Sequence, residues 1–211
     1  LTTLKSAPRS ILGVAPAGPG VIFPDFEDFD TLITNAAGSD KAFLESAKRG
    51  YDIYKNKTFL IKDVANLNSI GIGNPVRNSC NTCHNRQQIG NDLAPGFMDL
   101  GVSNRPHSQL ITASTDYPLF KVICNASAKP HPFLGREIYT SDPGTALVSG
   151  KCEDVGSLNF QQLRGLAARA PYFTNGSAAN LREVIEYYNK RFDINYTEQE
   201  IVDLINFMKV L

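Results

Sequence analysis

Two cysteines and a histidine stand close together in the run Cys80-Asn-Thr-Cys-His84. Cys-x-x-Cys-His is the attachment pattern of c-type haem. Two thiols three positions apart on one helical turn can each reach a vinyl group of the porphyrin, and the adjacent imidazole can ligate the iron. The motif therefore predicts one haem c, bound covalently through Cys80 and Cys83 and ligated by His84.

Two other kinds of site also use paired cysteines. A thioredoxin-like Cys-x-x-Cys normally begins a helix in a βαβ unit, and the sequence around this motif shows no such pattern. A zinc site needs a second pair of ligands at close spacing, whereas Cys124 and Cys152 stand alone in different segments. We therefore predict that Cys124 and Cys152 form a disulfide, which persists outside the bacterial cytoplasm, where haem is attached.

The second axial ligand of the iron has several candidates. Methionine gives a high reduction potential and suits electron transfer, whereas a tyrosinate or an open position gives different chemistry. Of the two methionines, Met208 lies on a helical apolar stripe and is predicted as a core residue, so Met98 is the better candidate. His107 and His131 occupy proline-flanked loops, where we expect surface residues, with iron ligation as the alternative.

The elements that would position these residues are predicted to be helical. A helix is expected to begin near Ser39, because apolar residues recur at every third or fourth position from Phe43 to Tyr54. Asn180 and Thr197 each stand three residues before a glutamate, the capping-box arrangement that begins a helix. Strand signals are weak throughout, so the sequence predicts an all-α fold.

The rest of the chain is richer in loops. Residues 1–38, with many prolines and glycines, are predicted to form an extended N-terminal arm, and residues 39–211 one haem domain. Residues 85–157 are also loop-rich, which is unusual in a compact domain unless something large anchors them, and a haem is such an anchor. A short helix is expected from Asn159 to about Ala168.

Composition excludes some functions. The 211 residues contain 21 Lys+Arg and 21 Asp+Glu, so the zero net charge favours neither nucleic acid nor an anionic membrane surface. No apolar stretch approaches the roughly 18 residues of a membrane span. No leader is visible at Leu1, so we interpret the chain as a mature exported protein or an excised fragment.

From Ala47 onward the sequence resembles the C-terminal, electron-accepting haem domain of the bacterial cytochrome c peroxidase and MauG-type superfamily. This resemblance implies a class I cytochrome c-like haem domain with long loops. The segments that carry it are Lys48-Arg-Gly-Tyr-Asp-Ile-Tyr54, Cys80-Asn-Thr-Cys-His-Asn85, Leu163-Arg-Gly-Leu-Ala-Ala-Arg-Ala-Pro-Tyr-Phe-Thr-Asn-Gly-Ser177 and Leu181-Arg-Glu-Val-Ile185.

The sequence departs from the family pattern at three points. The family's peroxidases carry two haems in two domains, whereas this chain has one motif. Thr174 stands where the family has a histidine. Tyr188 matches a position that is often methionine at the electron-transfer haem and tyrosine in MauG-type members. The resemblance therefore implies Tyr188 as the distal ligand, with Met98 as the alternative and a core tyrosine with a bonded hydroxyl as a further possibility.

The resemblance also implies contacts around the haem. The segment Asp92–Met98 resembles the Gly-Pro-x-Leu loop of small cytochromes c, in which the proline carbonyl accepts a hydrogen bond from the ligand histidine; this implies that role for Pro95. Arg164 and Arg169 are candidates for the haem propionates, because a guanidinium matches a carboxylate in bidentate fashion. The alternative for both arginines is a solvated surface charge.

One haem and no second redox site favour an electron carrier. It would take an electron from a periplasmic dehydrogenase and pass it to an oxidase or another cytochrome. Redox proteins are therefore the expected partners. The expected compartment is the periplasm or another exported location. The alternative is a peroxidase or MauG-like enzyme, or a subunit of one, acting on hydrogen peroxide. A structural or sensor domain with haem as a fold anchor is a third possibility.

Overall fold

The computed structural model describes residues 29–84, 97–111, 117–159, 163 and 165–211. These ranges contain both α-helices and short β-strands. The helices are α1 Phe29–Asn35, α2 Gly38–Asn56, α3 Ala146–Ser149, α4 Leu181–Phe192 and α5 Glu198–Lys209, and the strands are β1 Phe59–Ile61, β2 Val76–Asn78, β3 Phe97–Met98, β4 Phe120–Ile123, β5 Glu137–Thr140 and β6 Leu158–Asn159.

The strands correct the predicted fold class. In the described ranges they pair into three two-stranded antiparallel sheets, β1 with β2, β3 with β6 and β4 with β5. The prediction of an all-α, class I cytochrome c-like domain is therefore wrong, and the fold mixes helix and strand. Each strand has only two to four residues, too few for an alternating pattern to stand out in the sequence. The loop-rich segments nevertheless use these pairings to satisfy their backbone hydrogen bonds.

Helices α2 and α5 form the centre of the helical core. Gly50 of α2 lies against the backbone of α5, where an added Cβ would be 2.0 Å from the Asp203 carbonyl oxygen. The absence of a side chain at Gly50 lets the two helices approach closely. The rings of Tyr51 and Phe207 then pack with their centroids 5.4 Å apart.

A buried carboxylate also joins these two helices. Asp203 accepts hydrogen bonds from Ser46 at 2.6 Å and from Arg49 at 2.8 and 2.9 Å. Burial alone raises the pKa of the Asp203 carboxyl, but the hydrogen bonds from Arg49, Ser46 and Gln199 outweigh it, so the pKa is lowered. The carboxylate therefore stays charged and holds α5 against α2.

The predicted starts of the last two helices are confirmed. Asn180 caps α4 by accepting from the Glu183 backbone N–H at 3.1 Å. Thr197 and Glu200 form the complete capping box of α5. The helix predicted from Asn159 to Ala168 is wrong: Asn159 belongs to β6 and Leu166–Ala168 is a single 3₁₀ turn, while residues 160–162 and 164 lie outside the described ranges.

Helix α1 lies inside the segment predicted to be an extended arm. Phe29 is buried, with its ring 6.1 Å from that of Tyr51, so this contact with α2 stabilises a helix where we expected none. Residues 1–28 lie outside the described ranges. The division into an arm and a haem domain therefore stays a prediction.

A disulfide between Cys124 and Cys152 cross-links the middle of the chain, as the sequence predicted. By the chain-entropy model, closing such a loop contributes about 3 kcal/mol. The bond ties the end of β4 to the turn Cys152–Asp154. None of the helices in the described ranges combines the length and hydrophobicity that a membrane span requires.

Candidate functional site

A largely apolar cavity of about 400 Å³ lies among α2, α4, α5 and the segment from β3 to residue 102. Its volume falls in the range of small-molecule and cofactor sites. Cys80, Cys83 and His84 all line this cavity. The structure thus places the three residues of the motif at one wall of a single large cavity.

The end of α2 holds the Cys-x-x-Cys-His segment in place. The 3₁₀ turn Cys80–Thr82 is closed by the backbone N–H groups of Cys83 and His84, which both donate to the Cys80 carbonyl, at 3.3 and 3.0 Å. The Asn81 side chain donates to the Lys55 carbonyl at 2.8 Å. The Tyr54 hydroxyl donates to the carbonyl of His84. The turn is therefore fixed by protein contacts on the α2 side.

Burial controls the protonation of the three residues. It raises the pKa of the Cys80 thiol to about 11 and that of the Cys83 thiol to about 12. It lowers the pKa of His84 to about 4. The histidine is therefore neutral at physiological pH, which is the protonation state that ligates a metal.

Tyr188 differs from the other tyrosines that line the cavity. Its hydroxyl has no hydrogen-bond partner among the described residues, while its ring stacks on Phe192 with centroids 6.3 Å apart. Burial raises the pKa of the Tyr188 phenol, so it is neutral. Within the described ranges the Tyr188 ring packs against two core clusters, and no bonded hydroxyl is seen. The other tyrosine hydroxyls in the cavity meet these partners: Tyr54 with the His84 carbonyl, Tyr172 with the Leu166 carbonyl and Tyr196 with Cys80 Sγ.

Both methionines also line the cavity. Met98 is buried and packs in a cluster with Phe59 and Phe192, whereas Met208 is only partly buried. The cavity therefore brings the sequence candidates for a second axial ligand, Tyr188 and Met98, to the same space as His84.

The donor set and the walls of the cavity fit a haem. Two thiols and a neutral imidazole meet within apolar surfaces that offer water few hydrogen bonds. A cavity of about 400 Å³ with mainly apolar walls is of the size and character that takes a large, mostly apolar group.

Of the remaining haem-contact candidates, some line the cavity and others lie outside the described residues. Arg169 is exposed and lines the cavity, as does Thr174, so both lie at its rim. Pro95 and Arg164 lie outside the described residues.

A second, polar cavity of about 270 Å³ adjoins the first. The segment Met98–Leu100 separates the two. Met98 and Leu100 line the apolar cavity and Asp99 lines the polar one, because successive residues of an extended chain point to opposite sides.

The two loop histidines line this polar cavity and do not line the apolar one. The surface position predicted for His131 is wrong, since only 2% of it is exposed. Its Nδ1 accepts backbone N–H groups of Phe133 and Leu134 at 3.3 and 3.0 Å, and its Nε2 lies 3.2 Å from Asp99 Oδ2. Because Nδ1 accepts these hydrogen bonds, it is the Nε2 side of the ring that lies next to the carboxylate. Nδ1 is therefore held by backbone hydrogen bonds, whereas Nε2 is buried beside the carboxylate without a hydrogen bond to it.

The sequence interpretation missed three residues that hold the motif: Tyr54, Asn81 and Tyr196. In the sequence Tyr54 stands out only as part of the apolar stripe of α2. Its hydroxyl contact depends on how α2 packs against the motif. Tyr196 is separated from Cys80 by 116 residues, so no local pattern reveals the contact between them.

Comparison with known proteins gives one informative match. No protein-family model matches the sequence, and no solved structure is significantly similar to it. Over 170 residues the chain is 28% identical to cytochrome-c peroxidase IdrP2 of Pseudomonas sp. (strain SCT). The match covers 78% of this chain and 35% of the relative, so the chain spans about a third of that protein's length. This supports a cytochrome c peroxidase-like relationship, but not the narrower one to a single-haem, MauG-type member.

Proposed function

We propose that this protein binds one haem covalently through Cys80 and Cys83, with His84 as an axial ligand, and carries electrons between periplasmic redox proteins. The observation that best supports it is the meeting of both thiols and a neutral imidazole at one wall of an apolar cavity. The chain has a single attachment motif. The disulfide Cys124–Cys152 fits a compartment outside the cytoplasm, where haem attachment takes place.

When bound, haem supplies one-electron chemistry between Fe(II) and Fe(III). The residues of this chain would set the conditions for it. His84 presents a neutral imidazole, and the apolar walls exclude water and so help to set the reduction potential. Arg169, on the exposed rim, is proposed to meet a propionate.

A second candidate function is peroxide reduction. Two observations favour it: the relative is named a cytochrome-c peroxidase, and Tyr188 lines the cavity with a hydroxyl that has no partner among the described residues. A tyrosine that ligates weakly, or that leaves the iron open, would admit a small substrate. On this proposal Tyr188 would supply the second protein ligand to the iron, with Met98 as the alternative.

The test of haem binding is direct. The protein is expressed with the haem-attachment machinery, denatured, and examined by mass spectrometry and visible absorption. We expect the mass of the chain plus one haem, with absorption that survives acid–acetone extraction. A mass equal to the bare polypeptide would overturn the proposal.

The two functions are separated by comparing spectra of the wild type, Tyr188→Phe and Met98→Leu, with Met208→Leu as the matched control. If Tyr188 is the ligand, only Tyr188→Phe changes the ferric spectrum; if Met98 is the ligand, only Met98→Leu does so. A high-spin ferric spectrum that changes on addition of hydrogen peroxide favours the enzyme. A low-spin spectrum that peroxide leaves unchanged favours the electron carrier.

A further inference from the structure

The two thiols of the cavity have different neighbours. The Tyr196 hydroxyl lies 3.9 Å from Cys80 Sγ, a distance at which the O–H can donate to sulfur. Among the described residues, no hydroxyl or amide group makes a corresponding contact with Cys83 Sγ. Tyr196 therefore distinguishes the two attachment positions.

Tyr196 is itself held from several directions. Its backbone N–H donates to Asn189 Oδ1 of α4 at 3.0 Å. Lys57 Nζ lies 4.8 Å from the centre of its ring and 2.6 Å from Glu200 Oε1 of α5. The next residue is Thr197, which caps α5. Contacts with α4, with α5 and with Lys57, the residue that follows α2, therefore hold the Tyr196 backbone and ring independently of the Cys80 turn.

We propose that Tyr196 is a positioning residue for haem attachment, which holds the Cys80 sulfur in the orientation that bonds to the porphyrin. This inference rests on the proposed haem binding. A free cysteine side chain has three staggered rotamers, and a hydroxyl contact that favours one of them raises the fraction of time that the sulfur is in place.

The reaction in which Tyr196 would assist is an addition. The Cys80 S–H adds across the C=C bond of a haem vinyl group: a C–S bond forms, the π bond is lost, and the thiol hydrogen ends on the other vinyl carbon. Atoms and electrons balance without a further oxidant or reductant. Tyr196 contributes orientation only, and its own bonds do not change.

Tyr196→Phe is the informative variant, because it keeps the ring and its Lys57 contact and removes only the hydroxyl. It is combined with Cys83→Ala, so that only Cys80 can attach, and separately with Cys80→Ala, so that only Cys83 can. Each apoprotein is mixed with haem under reducing conditions, and covalent attachment is followed by mass spectrometry after extraction. Melting curves of the apoproteins verify that the paired variants are equally folded.

We expect Tyr196→Phe to slow attachment through Cys80 about three- to fivefold, the effect of losing one hydrogen bond, and to leave attachment through Cys83 unchanged. Equal slowing at both cysteines, or no slowing at either, would overturn the role of Tyr196 while leaving haem binding intact. If wild-type protein forms no thioether even with the attachment machinery, haem binding itself fails, and this inference fails with it. Tyr139→Phe, on the exposed face of β5, is the control for loss of a hydroxyl elsewhere.

Discussion

The molecule has two neighbouring cavities, and each is lined by histidine. In the apolar cavity His84 lies beside two thiols, and burial lowers its pKa to about 4. In the polar cavity His131 accepts two backbone N–H groups at Nδ1, and its Nε2 lies 3.2 Å from Asp99 Oδ2 without a hydrogen bond. Burial is common to both histidines, so it does not by itself mark a ligand. The partners of the ring nitrogens decide whether a buried histidine supports the fold or serves a cofactor.

A short stretch of extended chain keeps the two environments apart. Asp99 accepts hydrogen bonds from the Gly101 backbone at 2.8 Å and from Asn104 Nδ2 at 2.9 Å on the polar side. Leu100 lines the apolar side, and its carbonyl accepts from Tyr187 and Arg191 at 2.9 and 3.2 Å. The Leu100 carbonyl and the Gly101 N–H are thereby paired, so these backbone groups do not add unpaired polar atoms between the two cavities.

The largest effect is expected when both thiols of the apolar cavity are removed, in the double variant Cys80→Ala with Cys83→Ala. We expect haem to become extractable by acid–acetone and, where it is lost, the melting temperature to fall, because the apolar walls of the cavity are then no longer covered by a bound group. Haem content and thermal melting measure both effects. Cys124→Ser with Cys152→Ser is the control; it should lose about 3 kcal/mol and keep its haem. Haem that still resists extraction from the Cys80/Cys83 variant would contradict the assignment.

His131→Leu tests the structural histidine. The change leaves two backbone N–H groups without their acceptor and removes the ring that faces Asp99, so we expect a loss of about 3 kcal/mol in the free energy of unfolding. The visible spectrum of the haem protein should not change. Urea denaturation gives the free energy, and a changed spectrum would show that the two cavities are not separate in function.

Adjacent tyrosines of α4 provide a smaller test. Tyr187 is 1% exposed and donates to the Leu100 carbonyl at 2.9 Å, so Tyr187→Phe should cost about 1 kcal/mol. Tyr188→Phe removes a hydroxyl with no partner among the described residues, so in the apoprotein it should cost less. Paired urea denaturation curves of the two variants compare them; equal losses would contradict the difference in hydroxyl environment.

The pH dependence of stability should report on His107, at the edge of the polar cavity. Burial, assisted by Arg191, lowers its pKa, while Asp99 and Asp63 oppose this. The unfolded state, with a histidine pKa of about 6.5, then binds a proton more readily than the folded state. The contribution is therefore present above about pH 6.5 and is lost as pH falls from there towards the folded pKa. His107→Gln should flatten that part of the stability curve, measured by urea denaturation; an unchanged slope would exclude His107 as its source.

Local signals were sufficient for several features. The Cys80–His84 motif and the helix caps at Asn180 and Thr197 each depend on a few neighbouring residues. The short strands were not predictable, because their pairing joins residues far apart in sequence, as between Met98 and Leu158.

The sequence by itself determined which groups could do chemistry: two thiols and a histidine at the spacing of haem attachment. This spacing is set by the order of five consecutive residues, so it does not depend on how the chain folds. The tertiary structure decided what surrounds them. It brought Tyr196 to Cys80 across 116 residues and turned Asp99 away from the apolar cavity. It also buried His131 against a carboxylate in place of the solvent expected for a loop. These outcomes depend on which segments, distant in sequence, come into contact. Those contacts are selected by the free energies of burial and hydrogen bonding of the whole fold, which no local pattern contains.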